Sequence, residues 1–206
     1  MKCLACGSTA EGSFCPSCSI LEYPDLIKTY CINSPSKNPL EMAQEIMSHP
    51  QFPVAGQAHH PLIAAVLVAA HRNAGGNSGA EKIEEAVKRG NSLPGGFCAG
   101  FGADAAAIAC GISVSVIKGN TISAQHATGR SLAHLLTGEG MLTVANNTGN
   151  RCCKRSVYSM IEVAGSFFAR TMGTTFDGPQ ERACCPFTEK NKLCNGPSCK
   201  YFPKSA

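Results

Sequence analysis

The chain has 206 residues, a formal net charge of +4, 13 cysteines and no tryptophan. A chain of this length buries about 70% of its unfolded surface, so it needs no disulfides to compensate for a thin core. The mild charge argues against a nucleic-acid-binding surface, and no apolar run reaches the ~20 residues of a membrane span.

The N-terminal sequence MKCLACGS has no apolar signal region, which predicts a cytoplasmic protein. Cysteine-rich chains of the cytoplasm use their thiols for metal binding or redox chemistry far more than for structural disulfides. We therefore expect the cysteines to hold metals or to exchange electrons or sulfur.

Two CxxC pairs lie near the N-terminus and are separated by eight residues: Cys3 with Cys6, and Cys15 with Cys18. Each pair forms a tight turn, and four thiolates complete a tetrahedron around Zn²⁺. The segment is too short to have a core of its own, so a metal must hold it together. We predict a zinc ribbon or knuckle over residues 1–19, with a rubredoxin-like iron as the alternative ion, and a helical cysteine-rich domain over residues 20–206.

Helix signals follow from residue 38 onwards. Asn38 is a good N-cap for a helix that runs to about Met47, because Pro39 and Glu41 follow it. The stretch after His60 is almost entirely apolar, which predicts a buried central helix. Further helices are predicted from a capped start at Ser78 to about 91, and over 103–117, 127–137 and 154–172.

Strand signals are weak and occur only in TISAQ, residues 121–125, and MLTVA, residues 141–145. The C-terminal tail, residues 176–206, is too rich in proline, glycine and asparagine for regular structure. We therefore predict a mostly α fold, in which a compact multi-helix domain carries the small N-terminal ribbon and an irregular cysteine-rich tail.

The segment GGFCAGFGADAAAIACG, residues 95–111, superficially matches a dinucleotide-binding glycine loop. That motif works only where a strand feeds the turn within a βαβ unit, and none is predicted here. The segment is instead the start of a helix whose N-terminal amides favour a thiolate at Cys98 and lower its pKa. Asp104 is a helix cap or a further ligand, and Cys110 is a core residue.

Seven other cysteines form an irregular constellation: Cys98, Cys152, Cys153, Cys184, Cys185, Cys194 and Cys199. Their doubled and proline-marked spacing resembles the loops that bind iron–sulfur clusters, and a 4Fe–4S cluster bound by a subset of them is the leading interpretation. Arg151, Lys154 and Arg155 would offset its negative charge. A metal-free dithiol or persulfide relay, a second zinc site and unrelated structural cysteines stay open as alternatives.

Two histidines, His59 and His60, stand at the start of the most apolar helix. Either His60 is an ordinary N-cap and His59 a surface residue, or one of them faces the cysteines as a ligand, proton donor or substrate contact. The catalytic candidates are therefore Cys98, His59 and His60. His126 and His134 are too far apart along a helix to form a local metal pair.

Four segments together resemble an uncharacterised cysteine-rich family of methanogenic archaea and anaerobic bacteria: HHPLIAAVLVAA, LPGGFCAGFGADAAAIACGISVSVI, NRCCKRS and CPFTEKNKLCNGPSC. Its members occur alone or attached to radical-SAM or methyltransferase-like modules, and the resemblance covers about residues 50–202. In that family a cysteine often follows the glycine loop near residues 102–105, where this chain has Asp104. The resemblance implies an oxygen-sensitive setting, which favours iron–sulfur over zinc at the second site.

The sequence thus predicts a cytoplasmic metal-binding protein that acts in electron or sulfur transfer, or as an accessory to an anaerobic enzyme, with a redox or sulfur-transfer protein as its partner. One alternative is a thiol-dependent sulfurtransferase or desulfurase that uses Cys98 or a vicinal pair as nucleophile. Another is a binding module whose zinc ribbon docks RNA or a protein. The low charge and few aromatic residues disfavour nucleic acid.

Overall fold

A computed structural model describes residues 1–147, 149–178 and 183–204. Over these residues the fold contains nine α-helices and no strand, apart from one isolated bridge between Lys2 and Thr9. The helices are α1 (Pro16–Ser19), α2 (Tyr23–Asn33), α3 (Pro39–Met47), α4 (His59–Asn73), α5 (Ala80–Asn91), α6 (Phe97–Gly100), α7 (Ala105–Ile117), α8 (Ala127–Asn146) and α9 (Cys153–Phe167). Helix α9 continues into a π-helical turn, Phe168–Met172, and 3-10 turns cover Ala124–His126 and Gly196–Ser198. The mostly α fold predicted from the sequence is confirmed.

Side-chain caps fix the start of two helices that position the core. Asn38 accepts hydrogen bonds from the backbone N–H groups of Leu40 (3.1 Å) and Glu41 (3.2 Å), as predicted. Asp104 caps α7 by accepting from the N–H of Ala106 at 2.8 Å. These caps satisfy amides that have no partner within the helix.

The start of α5 differs from the prediction. Gly79, not Ser78, is the N-cap residue, and the Ser78 hydroxyl is buried without a hydrogen-bond partner among the described residues. The Glu81 carboxylate accepts from the N–H of Gly79 at 3.2 Å, so one half of the expected reciprocal cap is present.

Helix α4 is the centre of the domain. Every residue from His59 to His71 is buried, and α2, α3, α5, α7 and α9 pack around it. A helix that is apolar on all sides finds its lowest free energy when neighbours cover every face. The predicted buried central helix is therefore confirmed.

Helices α4 and α5 approach so closely that their contact depends on a glycine. A Cβ atom added to Gly90 would lie 2.5 Å from the Cα of Pro61, closer than two carbon atoms can pack. The small residues of the sequence thus allow helix backbones to meet in the core.

The boundaries of several elements were not predicted correctly. Helix α8 continues to Asn146, so MLTVA, a weak strand candidate, is helical, and residues 121–125 form a bend that leads into a 3-10 turn. Helix α2 was not predicted at all. Its first turn begins with Tyr23 and Pro24, and its buried side chains are Leu26, Ile27, Tyr30 and Cys31.

The C-terminal tail is irregular, as predicted, although residues 179–182 and 205–206 lie outside the described part. It packs back on the helices. Tyr201 is buried, and the Gln44 amide donates to the carbonyl of Cys184 at 3.0 Å. Among the described residues, no helix has the length and apolar character that crossing a membrane requires.

Candidate metal centres

The four N-terminal cysteines converge on one point. The sulfurs of Cys3, Cys6, Cys15 and Cys18 all lie within 4.8 Å of one another, and Cys6 Sγ is 3.7 Å from Cys15 Sγ. Four thiolates around one ion with metal–sulfur bonds of ~2.3 Å stand about 3.8 Å apart at tetrahedral geometry. The structure therefore brings the four predicted ligands together at the spacing of a single metal ion.

Local turns place these sulfurs. The N–H of Gly7 donates to the carbonyl of Cys3 at 2.9 Å and closes the first turn, and Gly7 has the left-handed φ of 75° that this turn requires. The second pair lies at the start of α1, where the N–H of Cys18 donates to the carbonyl of Cys15 at 3.0 Å. Each CxxC pair is thus preorganised by its own backbone.

The thiols of this group differ in their ionisation. The hydroxyl and the backbone N–H of Ser8 lower the pKa of Cys6 to about 6. Burial and hydrogen bonds with the neighbouring thiols raise the pKa of Cys18. Four sulfurs this close cannot all carry negative charge without a cation between them, so the arrangement favours metal binding.

The N-terminal group packs against the helical part of the chain. The Asn33 amide on α2 donates to the carbonyl of Ala5 at 3.3 Å, and His49 Nε2 donates to the carbonyl of Cys18 at 2.9 Å. The ring of Phe14 meets the ring of His49 edge to face, with centroids 4.6 Å apart. The metal-binding turns are therefore anchored to α2 and to the segment after α3.

A second group of cysteines lines a small cavity, here called the tail cavity, between the start of α9 and the C-terminal tail. Its cysteines are Cys152, Cys185, Cys194 and Cys199, and its walls include Tyr158, Phe187, Asn191, Tyr201 and Phe202. Three separate stretches of chain contribute these thiols. Four of the seven predicted cofactor cysteines thus meet in one place.

Hydrogen-bond donors point at the sulfurs of the tail cavity. Cys152 Sγ accepts from the N–H of Arg155 at 3.4 Å and from the side-chain amide of Asn191 at 3.1 Å. Cys194 Sγ accepts from the N–H of Gly196 at 3.4 Å. Burial raises the pKa of Cys185, while the N–H of Phe187 opposes this. These donors stabilise negative charge on sulfur, as they do around metal-bound thiolates.

A second cavity, here called the histidine cavity, holds two of the remaining cofactor candidates. It is lined by His59, His60, Cys98, Asp104, Ala106, Arg151, Cys153 and Ser156. Cys98 Sγ accepts from the N–H of Ala105 at 3.3 Å, and Cys153 Sγ accepts from the N–H of Gly56 at 3.3 Å. Two different helices, α6 and α9, therefore bring these thiols to the cavity.

The pKa of Cys98 contradicts the prediction. Burial raises it, and the neighbouring carboxylate of Asp104 adds to the increase, although the N–H of Ala105 opposes both. The helix N-terminus does contact this sulfur, as expected, but desolvation and the acidic neighbour outweigh it. Cys98 is therefore a neutral thiol unless a cation is present.

Both histidines are buried within α4, so the expectation of a surface His59 and an N-cap His60 is wrong. His59 Nδ1 donates to the carbonyl of Gly56 at 3.1 Å, and its Nε2 accepts from Lys154 Nζ at 3.1 Å. Desolvation and the Lys154 charge lower the pKa of His59 to about 3. Both ring nitrogens of His59 are thus hydrogen-bonded.

Lys154 is only 3% exposed and lies between the two cavities. Its ammonium group stands 5.2 Å from the ring centre of Phe52 and 4.9 Å from that of Phe187. Burial lowers the pKa of Lys154 to about 8. The sequence suggested Lys154 as a counter-charge for a cluster but gave no sign of its burial, which depends on aromatic rings far away in the chain.

The other candidates lie elsewhere. Cys184 is exposed and lines neither cavity, whereas Cys110 is fully buried, as predicted. His126 is half-buried at the end of the 3-10 turn before α8, and its Nδ1 accepts from the N–H of Thr121 at 3.1 Å. Asn191 was missed by sequence reasoning, because an asparagine in a polar tail gives no signal until the fold places it beside a sulfur.

Residues 27–202 match a family of unknown function, DUF5714. The chain belongs to this family. No curated protein and no solved structure matches the chain. The DUF5714 region contains all residues of the tail and histidine cavities, and the four N-terminal cysteines lie before it. The N-terminal cysteine group therefore lies outside the matched region.

Proposed function

We propose that this DUF5714 protein is a metalloprotein with a structural zinc ion in its N-terminal cysteines and a 4Fe–4S cluster in the tail cavity, and that it transfers electrons or sulfur. The observation that carries the proposal is the meeting of Cys152, Cys185, Cys194 and Cys199 around one cavity. Four cysteine thiolates are the ligand set of a 4Fe–4S cluster.

Zinc suits the N-terminal group because the site is closed. Four cysteine sulfurs occupy every position of a tetrahedron, and a zinc ion in such a site stabilises the fold without reacting. The anchoring of Ala5 and Cys18 to the helices supports the same role, since folding of these turns is then coupled to metal binding.

Spacing supports a cluster in the tail cavity. In the described part of the chain, only the N-terminal cysteines form a group of three or more ligand residues gathered closely enough to hold one ion. The sulfurs of the tail cavity are therefore more widely spaced than one ion requires. A cubane of four irons and four sulfides is larger than one ion and holds its cysteines further apart.

The surroundings of the tail cavity support redox chemistry. Aromatic side chains, including a tilted pair formed by Tyr158 and Tyr201 with ring centres 5.0 Å apart, limit access of water. Amide donors to Cys152 and Cys194 favour the reduced cluster, because its sulfurs carry more negative charge. A redox or sulfur-transfer protein in an oxygen-poor cytoplasm is the partner that this chemistry implies.

The alternative of a metal-free sulfurtransferase is less well supported. Such an enzyme needs a thiolate nucleophile, but burial raises the pKa of Cys98 and Asp104 adds to the increase. The test for this alternative is a persulfide on Cys98 after incubation with a sulfur donor, and its loss in Cys98→Ser.

Anaerobic purification of the full chain, followed by iron, sulfide and zinc analysis, tests the proposal. We expect about four irons and four sulfides per chain, the stoichiometry of one cubane cluster, and an electron paramagnetic resonance signal after reduction. The variant Cys194→Ser should lose the iron and keep the zinc, and Cys3→Ser should do the reverse. Zinc without iron in protein purified and reconstituted under strictly anaerobic conditions would refute the cluster.

A further inference from the structure

The histidine cavity gathers four potential metal ligands from four different elements. His60 is in the first turn of α4, Cys98 in α6, Asp104 at the N-cap of α7 and Cys153 at the start of α9. The cluster proposed above uses none of these side chains. They therefore form a separate group of potential ligands.

His60 is arranged as a metal-binding imidazole. It is 6% exposed, and its Nδ1 donates to the carbonyl of Leu93 at 3.2 Å. This hydrogen bond places the proton on Nδ1 and leaves the lone pair on Nε2. Within the described residues Nε2 has no hydrogen-bond partner, in contrast to His59, whose Nε2 is occupied by Lys154. Metal-binding histidines commonly hold their second nitrogen in this way.

Asp104 supplies a buried negative charge to the same cavity. It is 8% exposed, and the one hydrogen bond that caps α7 uses Oδ1. No lysine or arginine of the described residues lies within 4.0 Å of its carboxylate oxygens. A buried carboxylate that forms no ion pair is costly, so a metal ion in the cavity, which Arg151 also lines, would stabilise the fold.

The thiols complete a donor set that favours a divalent transition metal ion. Sulfur, imidazole nitrogen and carboxylate oxygen together match Zn²⁺ or Fe²⁺. We propose that the histidine cavity binds one such ion through the sulfurs of Cys98 and Cys153, Nε2 of His60 and the carboxylate of Asp104.

Metal binding requires the loop that carries Cys98 to move inward. In the part of the chain that the structure describes, the donor atoms of this cavity are not gathered as closely as those of the N-terminal cysteines. Residues 95–102 are mostly exposed, and Gly96 (φ 79°) and Gly102 (φ 66°), where an added Cβ would meet no atom within 4 Å, lie on either side of Cys98. These glycines give the loop backbone freedom to bring Cys98 towards His60 and Cys153.

Zinc analysis of the full chain tests this site separately from the cluster. Anaerobically purified protein, loaded with Zn²⁺ and freed of excess ion, should contain one more zinc than the variants Cys98→Ser, Cys153→Ser and His60→Gln. The variant Asp104→Asn retains an oxygen to cap α7 and should bind this zinc about 10–100-fold more weakly. Cys184→Ser is the matched control, since Cys184 is exposed and lines neither cavity.

The iron content separates the two proposals, because these variants should keep the iron of the tail cavity even if they lose a zinc. A second measurement covers variants that fold poorly: Zn²⁺ should slow alkylation of Cys98 and Cys153 by iodoacetamide in the wild-type chain at least tenfold. Equal zinc content in the wild type and all four variants, or alkylation of both thiols that Zn²⁺ does not slow, would overturn the inference. A Cys98–Cys153 disulfide that forms equally with and without Zn²⁺ would also overturn it, in favour of a dithiol.

Discussion

Cys152 and Cys153 are consecutive residues, yet their thiols line different cavities. Cys152 Sγ accepts from Arg155 and Asn191, whereas Cys153 Sγ accepts from the N–H of Gly56, 97 residues away in sequence. Successive residues of a helix point about 100° apart. The side chains of two consecutive cysteines at a helix start therefore face different directions. The two thiols of this doubled cysteine therefore face different cavities.

This divergence predicts opposite metal contents for two adjacent substitutions. Cys152→Ser should remove most of the iron of the anaerobically purified protein, because it deletes a thiolate of the tail cavity. Cys153→Ser should leave the iron unchanged and remove a zinc. Iron and zinc analysis of both variants, with circular dichroism to confirm folding, makes the comparison. Equal iron loss in both variants would show that one site uses both thiols.

The hydrogen bond from Asn191 to Cys152 predicts a shift in reduction potential. Asn191→Ala removes the donor at 3.1 Å from the sulfur and should lower the potential of the cluster. One hydrogen bond contributes ~1 kcal/mol, which corresponds to roughly 40 mV for a one-electron couple. A redox titration followed by electron paramagnetic resonance measures the shift. Asn195→Ala is the control, because Asn195 lines the same cavity but its side chain accepts from the N–H of Asn150 and not from a thiol.

The N-terminal site could be predicted from the sequence, whereas the grouping of the cysteines in the tail cavity could not. The reason for this difference is physical. CxxC spacing fixes the relative positions of two sulfurs through one local turn. The positions of Cys3 and Cys6 relative to each other therefore do not depend on the rest of the chain. Cys152 meets Cys185, 33 residues later, only because α9 and the tail pack together. The sequence named these cysteines as candidate ligands but could not say that four of them line one cavity and two line another.

The same limit applies to the histidines and to Lys154. Polar residues beside an apolar helix are usually at its surface, which made an exposed His59 the simplest expectation. The structure buries His59 because Lys154 and the carbonyl of Gly56 satisfy both of its nitrogens. Such pairing depends on α9 lying against α4, and no local pattern in either segment reveals it.

Loss of the N-terminal metal should affect only the turns that carry its four cysteine ligands. Cys15→Ser should reduce the zinc content by one ion per chain and leave the iron unchanged, because its sulfur belongs only to the group around Cys6. We also expect faster amide hydrogen exchange over residues 1–19, since a four-thiolate zinc is what folds so short a segment. Cys184→Ser should change neither quantity. Undiminished zinc in Cys15→Ser would refute this ligand set.

The burial of His71 predicts a contribution to acid sensitivity. Desolvation lowers the pKa of His71 in the folded chain, where its Nδ1 lies 2.9 Å from the hydroxyl of Thr174. The unfolded chain therefore binds one more proton below about pH 6.5, and this contribution to stability is lost as the pH falls through that value. His71→Gln should have a shallower decrease of unfolding free energy between pH 7 and pH 5, by up to ~1.4 kcal/mol per pH unit. Parallel profiles for the wild type and the variant would contradict the assignment.

The close approach of α4 and α5 predicts opposite effects for two glycine-to-alanine substitutions. At Gly90 an added methyl group would lie 2.5 Å from the Cα of Pro61, so Gly90→Ala should destabilise the fold by about 1–3 kcal/mol through overpacking. At Gly165 in α9 no atom lies within 4 Å of an added Cβ, so Gly165→Ala should stabilise the helix by roughly 0.5–1 kcal/mol. Denaturant unfolding under anaerobic conditions measures both. Similar effects of the two substitutions would show that backbone contact at Pro61 does not limit the packing of these helices.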